Sequence, residues 1–200
     1  MQTLRSGFLK SLETCHKGYK MICVYIQKWN KKKDVPWQYI LADVLKKDYG
    51  MKKCPKILKD EYGKPYVEKH EVEFNVSHSG EHLAIAISEK EVGVDLQEPK
   101  DIKEGLYRKV VQPEEKGLIG EERQKDFLRL WALKESFVKA EGKGLRISMK
   151  DYYFVKENDR YFVNYGGQKC GWTFNIEETL VPDYVISVCG LEQEILWKII

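Results

Sequence analysis

Apolar runs and apolar stripes along the chain divide it into predicted strands and helices. Residues 21–27 and 82–88 are rich in β-branched and aromatic residues and predict strands, and Val92-Gly-Val-Asp-Leu96 predicts another strand directly afterwards. Pro36 fits the first turn of a helix that continues to about Tyr49. The apolar stripe of this helix consists of Tyr39, Ile40, Val44 and Leu45.

The rest of the chain also contains both predicted helices and predicted strands. Segments 101–111 and 113–117 predict short helices, and 121–141 predicts the longest helix, which Gly142 and Gly144 end. Later strands are predicted at 152–156, 161–165, 172–177 and 184–189. The order of elements therefore indicates an α+β fold.

A weak internal repeat in the order of elements suggests that the chain contains two similar halves. A helix is followed by a Gly-Lys pair and then by a late strand in each part. The two Gly-Lys pairs are Gly63-Lys64 and Gly142-Lys143, and the late strands are 82–88 and 184–189. We expect two similar α+β halves, residues 21–91 and 92–200, packed about a pseudo-twofold axis with a site between them. Residues 1–20 form an N-terminal extension, for which disorder and an unused upstream start both remain open.

Composition narrows the classes of function. Lys and Arg number 34 against 31 Asp and Glu, and this net charge of +3 does not indicate a nucleic-acid partner. No apolar run reaches transmembrane length and the first residues lack the apolar core of a signal peptide, so we expect no membrane partner. The five cysteines contain no Cys-x-x-Cys pair. They favour reduced thiols and a cytoplasmic location over a disulfide framework or a zinc site.

The first candidate for chemistry is the segment Phe74-Asn-Val-Ser-His-Ser-Gly80. Its polar residues Ser77, His78 and Ser79 stand between two strand-like segments. Hydroxyls, an imidazole and free backbone N–H groups in a tight turn can hold an anion. The alternative is an ordinary polar turn with a solvated histidine.

The second candidate lies on the strand at 92–96 and just beyond it. Alternation along a strand puts Asp95 and Gln97 on one face and Glu98 on the other. An aspartate in an apolar strand is costly unless its charge is paired or binds a metal ion. The alternative is an aspartate that caps a helix near Ile102.

The third candidate lies on the longest predicted helix. Trp131, Glu135 and Lys139 follow each other at intervals of four and share one face. The opposite stripe of Leu130, Leu133, Phe137 and Val138 is predicted to be core. The alternative is an ordinary surface Glu–Lys pair.

Taken in this order, the Ser-His-Ser, Val-Gly-Val-Asp and Trp-x-x-Lys-Glu-x-x-x-Lys motifs resemble the 4′-phosphopantetheinyl transferase superfamily. The better match is the long form, with both halves on one chain, as in the surfactin-synthetase-activating enzyme. The resemblance spans about residues 21–189. It implies Mg²⁺-dependent transfer of 4′-phosphopantetheine from coenzyme A to a serine hydroxyl of an apo acyl or peptidyl carrier protein, with release of 3′,5′-ADP. It also implies a monomer.

The resemblance assigns roles to residues of this chain. Asp95 and Glu135 match the family's Mg²⁺ ligands, and magnesium prefers a few carboxylates completed by phosphate oxygens and waters. Glu135, or a metal-bound water beside it, matches the base for the carrier serine. Lys139 matches the residue that stabilises the leaving pyrophosphate oxygen.

Further matches concern coenzyme A. Ser77 and His78 match the family's contacts to its 3′-phosphate, and Lys64 and Pro65 match the nucleotide-binding turn.

Two positions depart from the family's pattern. Many long-form relatives carry a second acid at the position of Gln97, and many carry an arginine at the position of Gln38. One of the lysines at 31–33 could supply that missing charge.

Two other classes of function fit the sequence less well. A non-catalytic relative that binds coenzyme A or a carrier protein would be expected to lose Asp95, Glu135 or Lys139, and all three are present. An unrelated Mg²⁺-dependent nuclease needs a basic groove, which the near-neutral charge disfavours.

Overall fold

In the computed structural model, residues 21–69, 72–192 and 194–200 are described, so the extension at 1–20 lies outside the described residues. The first part contains β1 (Met21–Lys28), α1 (Trp37–Asp48), β2 (Ile57–Lys59), β3 (Pro65–Val67), β4 (Glu73–Ser79) and β5 (His82–Ser88). The middle contains β6 (Val92–Gln97), α2 (Glu104–Val110), a 3₁₀ segment (Pro113–Leu118), α3 (Arg123–Glu141) and a 3₁₀ turn (Gly144–Arg146). The remaining strands are β7 (Tyr152–Glu157), β8 (Arg160–Tyr165), β9 (Gln168–Lys169), β10 (Thr173–Glu177), β11 (Val185–Gly190) and β12 (Glu194–Ile199).

The two main sheets share one topology. In the first sheet, β1 pairs antiparallel with β5, and β5 pairs antiparallel with β4. In the second sheet, β6 pairs antiparallel with β11, and β11 pairs antiparallel with β10. A helix and a hairpin, α1 with β2–β3 or α3 with β7–β8, precede the last two strands of each sheet. This common order confirms the prediction of an α+β fold with two similar halves.

Strands β1 and β5 of the first sheet are almost entirely apolar because both faces of the sheet are covered there. Alternate residues of β1 and β5 pack with α1, in a cluster that includes Tyr25, Leu41 and Ile85. The intervening residues pack against the second sheet, in a cluster that includes Val24, Ala86 and Val94. Continuous rather than alternating apolar sequence is expected of strands that are buried on both sides.

The second sheet lies between the first sheet and α3. Val92, Val94 and Leu96 of β6 join the core between the sheets. Alternation along the strand places Gly93, Asp95 and Gln97 on its other face. There α3 covers the sheet, and its buried stripe of Leu130, Leu133 and Phe137 packs against β7, β8 and Cys189.

Two expectations from the sequence differ from the structure. Ser77, His78 and Ser79 belong to β4 and not to a turn, because the segment pairs with β5 in register from Glu73 to Ser79. The Gly-Lys pairs are not equivalent positions, since Gly63-Lys64 lies between β2 and β3 whereas Gly142 ends α3.

The last strand was not predicted. β12 pairs parallel with β1, so residues at the end of the chain complete the first sheet. The division at 91/92 stays a prediction.

The structure also bears on the cysteines and on membrane insertion. Cys54, Cys170 and Cys189 are free thiols, whereas Cys23 is disulfide-bonded, so the prediction of reduced thiols is wrong at Cys23. Among the described residues, every helix is too short or too polar to cross a bilayer.

Candidate active site

Close packing of α3 on β6 builds the site. A side chain at Gly93 would overlap the backbone carbonyl of Ser136 and lie 2.6 Å from the backbone nitrogen of Ala140. The absence of a Cβ at this position lets α3 approach the strand at backbone distance. α3 then ends at Gly142, whose φ of +71° is the left-handed conformation that glycine adopts without strain.

Asp95 stands at the centre of the site and is 3% exposed. Its Oδ1 accepts hydrogen bonds from Lys139 Nζ at 2.7 Å and from Ser77 Oγ at 3.0 Å. Its Oδ2 accepts one from Gln97 Nε2 at 2.6 Å. The buried charge is therefore both paired and hydrogen-bonded, as a carboxylate in an apolar sheet requires.

Glu135 lies next to this cluster and is partly buried. Burial raises the pKa of its carboxyl, and the nearby negative charge of Asp95 raises it further, while Lys139 and Lys100 oppose the shift. Two neighbouring carboxyls that repel each other form a place where a cation is favoured.

Polar side chains of β4 join the first sheet to the free edge of β6. Asn75 Oδ1 accepts the N–H of Val94 at 3.0 Å, and Ser77 Oγ accepts the N–H of Leu96 at 3.2 Å. Ser79 Oγ accepts the N–H of Glu98 at 3.2 Å. These side-chain hydrogen bonds take the place of the backbone hydrogen bonds that join paired strands. We call Asn75, Ser77 and Ser79 the β4 ladder.

A cleft of about 540 Å³ opens between the two halves beside Asp95. Lys64 and Pro65 line it from the first half, and Glu135 and Lys139 line it from α3. Lys64 Nζ donates to the backbone carbonyl of Ala140 at 3.3 Å, and burial lowers the pKa of its ammonium. Four of the seven predicted site residues thus share one cleft.

His78 lies apart from this cleft. Alternation along β4 turns it away from Ser77, and its ring lies 5.4 Å from the ring of Trp29. Partial burial lowers the pKa of its imidazole, and the positive charge of Lys31 lowers it further. Lys31 is thus the lysine of segment 31–33 that acts on His78, while Gln38 is exposed.

Two side-chain contacts near the site were not predicted from the sequence. Lys134, inside the helical motif, forms an ion pair of 2.8 Å with Glu115, and both side chains are fully buried. Glu115 also accepts the N–H groups of Gln112 and Phe154, so one carboxylate joins the 3₁₀ segment, α3 and β7. The sequence contained one sign of this ion pair, because Lys134 lies on the side of the predicted helix that faces the core.

The second is Lys100, which follows β6. Its Nζ donates to Gln97 Oε1 at 2.9 Å, while the amide nitrogen of Gln97 faces Asp95. A lysine three residues beyond the glutamine was visible in the sequence, but only the fold shows their contact.

The residues present fit a magnesium ion with few protein ligands. Among the residues that the structure describes, no group of three or more His, Cys, Asp or Glu side chains could hold a metal ion. Asp95 and Glu135 supply two carboxylates, and the ammonium of Lys139 occupies a cation position beside Asp95. Mg²⁺ takes one or two carboxylates together with phosphate oxygens and waters, which agrees with this set.

A family model agrees with the motifs. Residues 91–189, which contain β6, α3 and β11, match the model described as the 4′-phosphopantetheinyl transferase superfamily. This segment, just under half of the chain, has the sequence of that superfamily.

Curated members of the superfamily align with much of the chain. The 4′-phosphopantetheinyl transferase gsp of Aneurinibacillus migulanus is 32% identical over 137 residues, covering 66% of this chain and 57% of the relative. A 4′-phosphopantetheinyl transferase of Bacillus subtilis is 32% identical over 140 residues, covering 65% and 60%. The 4′-phosphopantetheinyl transferase Sfp of Bacillus subtilis (strain 168) is 29% identical over 119 residues, covering 56% and 53%. The chain therefore spans between half and two thirds of the length of these relatives.

Proposed function

We propose that this protein is a 4′-phosphopantetheinyl transferase, or holo-[acyl-carrier-protein] synthase. It moves the 4′-phosphopantetheine arm of coenzyme A to a serine hydroxyl of an apo carrier protein and releases 3′,5′-ADP. The arrangement of Glu135 and Lys139 in the wall of one cleft, with Asp95 hydrogen-bonded to Lys139, supports this reaction most directly. Superfamily membership of the segment that carries all three residues is the second support.

In the proposed reaction, the carrier serine oxygen forms a bond to the phosphorus that carries the pantetheine arm. The bond from that phosphorus to the departing 3′,5′-ADP oxygen breaks, and the serine proton passes to the carboxylate of Glu135. The ammonium of Lys139 stabilises the charge that appears on the leaving oxygen.

Asp95 and Glu135 would hold Mg²⁺. The bound ion would neutralise negative charge on the phosphate oxygens during transfer. Asp95 is held rigidly for this task by its donors on both oxygens.

Coenzyme A is proposed to occupy the cleft between the halves. Lys64 and Pro65 line its wall and would contact the nucleotide. His78, with Lys31 nearby, is the proposed partner of the 3′-phosphate. The contact of Ser77 with that phosphate, the monomeric state, the cytoplasmic location and the exclusion of nucleic acid and membranes stay predictions.

The test is an intact-mass measurement on a panel of apo carrier proteins incubated with this protein, coenzyme A and Mg²⁺. We expect one carrier or more to gain the mass of a single phosphopantetheine arm. Removal of Mg²⁺ by a chelator and the variant Asp95→Asn should abolish the gain. Asp159→Asn is the matched control, because that carboxylate is 96% exposed on the β7–β8 turn.

The possible outcomes separate the proposed reaction from its alternative. Coenzyme A binding without a mass gain on any carrier would favour the non-catalytic relative. The absence of both binding and transfer would contradict the proposal as a whole.

A further inference from the structure

An arginine and a tyrosine from the two halves of the molecule meet beside the cleft. Tyr62 lies in the turn between β2 and β3 and lines the cleft, whereas Arg146 ends the 3₁₀ turn that follows α3. Cζ of the Arg146 guanidinium lies over the Tyr62 ring, 4.7 Å from the ring centre. A guanidinium is attracted to the face of an aromatic ring. The contact therefore joins the first half to the second half at the wall of the cleft.

This contact lies near the end of α3 and away from the carboxylates that would hold Mg²⁺. Glu135 and Gly142 both line the cleft. At a rise of about 1.5 Å per residue, roughly 10 Å of helix separates one from the other. A Cβ at Gly144 would lie 3.9 Å from the carbonyl oxygen of Tyr62, so the Tyr62 turn adjoins the segment that follows the helix. Arg146 and Tyr62 therefore stand beside the turn that would contact the nucleotide.

The backbone that carries Tyr62 is fixed independently of Arg146. Asp60 Oδ1 accepts the N–H groups of Tyr62 at 2.9 Å and of Lys64 at 2.8 Å. Gly63 completes the turn with a φ of +85°. Tyr62 itself is 40% exposed, and its ring has the guanidinium on one face. Asp60 thus fixes the position of the turn, whereas Arg146 fixes the orientation of the ring.

The adenine base is the one flat aromatic group of coenzyme A. From this geometry we propose that the Tyr62 ring stacks on adenine and that Arg146 is a positioning residue, which holds the ring for the base. The inference rests on the proposed function, in which coenzyme A occupies this cleft. Stacking on an aromatic side chain stabilises a bound base through its flat face and without hydrogen bonds to its edge.

The test measures binding of 3′,5′-ADP by calorimetry, because this part of coenzyme A carries the adenine and its binding needs no carrier protein. Tyr62→Leu should raise the Kd by about 5- to 150-fold, as the loss of a base-stacking ring does. Arg146→Ala should raise it by about 2- to 5-fold, since the ring remains but loses the cation that orients it. An unchanged Kd in Arg146→Ala would contradict the inference.

A double-mutant cycle separates this role from a direct contact between Arg146 and a phosphate. If Arg146 acts through the ring, Arg146→Ala should cause no further loss once Tyr62 has been replaced by leucine. A loss that persists in the Tyr62→Leu background would overturn the inference and assign the guanidinium to the phosphates. Arg160→Ala is the matched control, because Arg160 is also an exposed arginine but begins β8, outside the cleft. This control should keep the wild-type Kd.

Steady-state kinetics give a second readout, which a general loss of structure would not reproduce. Arg146→Ala should raise the KM for coenzyme A and for dephospho-coenzyme A by the same factor, because both carry adenine, and kcat should not change. A fall in kcat at an unchanged KM would count against the inference alone. A wild-type protein that does not bind 3′,5′-ADP would overturn the inference together with the proposed function.

Discussion

The negative charge of the Asp95 carboxylate is stabilised by hydrogen bonds from individual neighbouring side chains. Its two carboxylate oxygens accept hydrogen bonds from a lysine, a serine and a glutamine. Hydrogen bonds to an ionised carboxylate are shorter and stronger than neutral ones, and the distances of 2.6 and 2.7 Å to Gln97 and Lys139 agree with this. The role of each donor can therefore be tested by removing it alone.

Removal of the Lys139 ammonium should affect turnover more than binding. Lys139→Ala should lower kcat by about 10²- to 10³-fold with a smaller change in the KM for coenzyme A, because charge appears on the leaving oxygen only during transfer. Steady-state kinetics check this. Lys143→Ala is the control, since that ammonium pairs with Glu141. Turnover of Lys139→Ala equal to wild type would contradict the assignment.

A carboxylate at position 97 should change the metal site. We expect Mg²⁺ to be held by Asp95 and Glu135 alone, because Lys100 faces Gln97 Oε1 and directs the amide nitrogen to Asp95. Gln97→Glu should then tighten Mg²⁺ binding in the absence of coenzyme A, which calorimetry measures. Gln97→Ala should cost much less activity than Asp95→Ala, because water can fill the vacated space.

Two results would argue against a two-carboxylate site. One is a Gln97→Ala variant as inactive as Asp95→Ala. The other is unchanged Mg²⁺ affinity in Gln97→Glu, measured also with Lys100→Met to remove competition from the lysine.

At the scale of elements, the contact between α3 and β6 carries the geometry of the site. α3 brings Glu135 and Lys139 to the strand, and Gly93 allows the approach. On its opposite side, the buried Lys134–Glu115 pair ties α3 to the 3₁₀ segment and β7. Breaking such a pair by removing one partner typically costs about 3–5 kcal/mol, so it restricts movement of the helix.

Gly93→Ala should separate α3 from β6. The added methyl group would overlap backbone atoms, which cannot rotate away as a side chain can. We expect the free energy of unfolding to fall by about 1–3 kcal/mol, and transfer activity to fall with it. Denaturant unfolding measures the first quantity.

The control is Gly105→Ala in α2. A Cβ there meets open space, and alanine favours a helix. This variant should be as stable as wild type or more so. Equal stability of Gly93→Ala and wild type would show that the helix can shift without cost.

At the scale of the whole molecule, the site exists because two similar halves meet. The β4 ladder joins the first half to β6, and the paired sheets bury a common apolar core. A third link is Lys64, which reaches from the first half to the carbonyl of Ala140 near the end of α3. A cation at a helix C-terminus interacts favourably with the helix dipole.

Lys64→Met should weaken this link while keeping the apolar stem of the side chain. We expect a loss of about 0.3–1 kcal/mol in the free energy of unfolding, together with weaker coenzyme A binding by calorimetry. Lys59→Met on β2 serves as the control, since Lys59 is exposed. Weaker binding in both variants would indicate a general charge effect and not a contact in the cleft.

Local sequence determined much of the fold and most of the candidate chemistry. Strands β1, β5, β6 and β11 follow from β-branched apolar runs, and α3 follows from its apolar stripe and its terminal glycine. Helical spacing of four put Glu135 and Lys139 on one face, and strand alternation put Gln97 beside Asp95. These patterns depend on neighbours within four residues, so they are visible before the chain folds.

Only the tertiary structure decided which of these residues meet. Ser77 and Asp95 are 18 residues apart, Lys64 and Ala140 are 76 apart, and β12 pairs with the first strand of the chain. The sequence of β4 resembled a turn because it contains several polar side chains. These side chains accept hydrogen bonds from the backbone of the edge strand β6, and no local sequence pattern predicts such a contact. Sheet register fixed the face of Ser77 and separated it from His78, since a shift of one residue reverses every side chain of a strand.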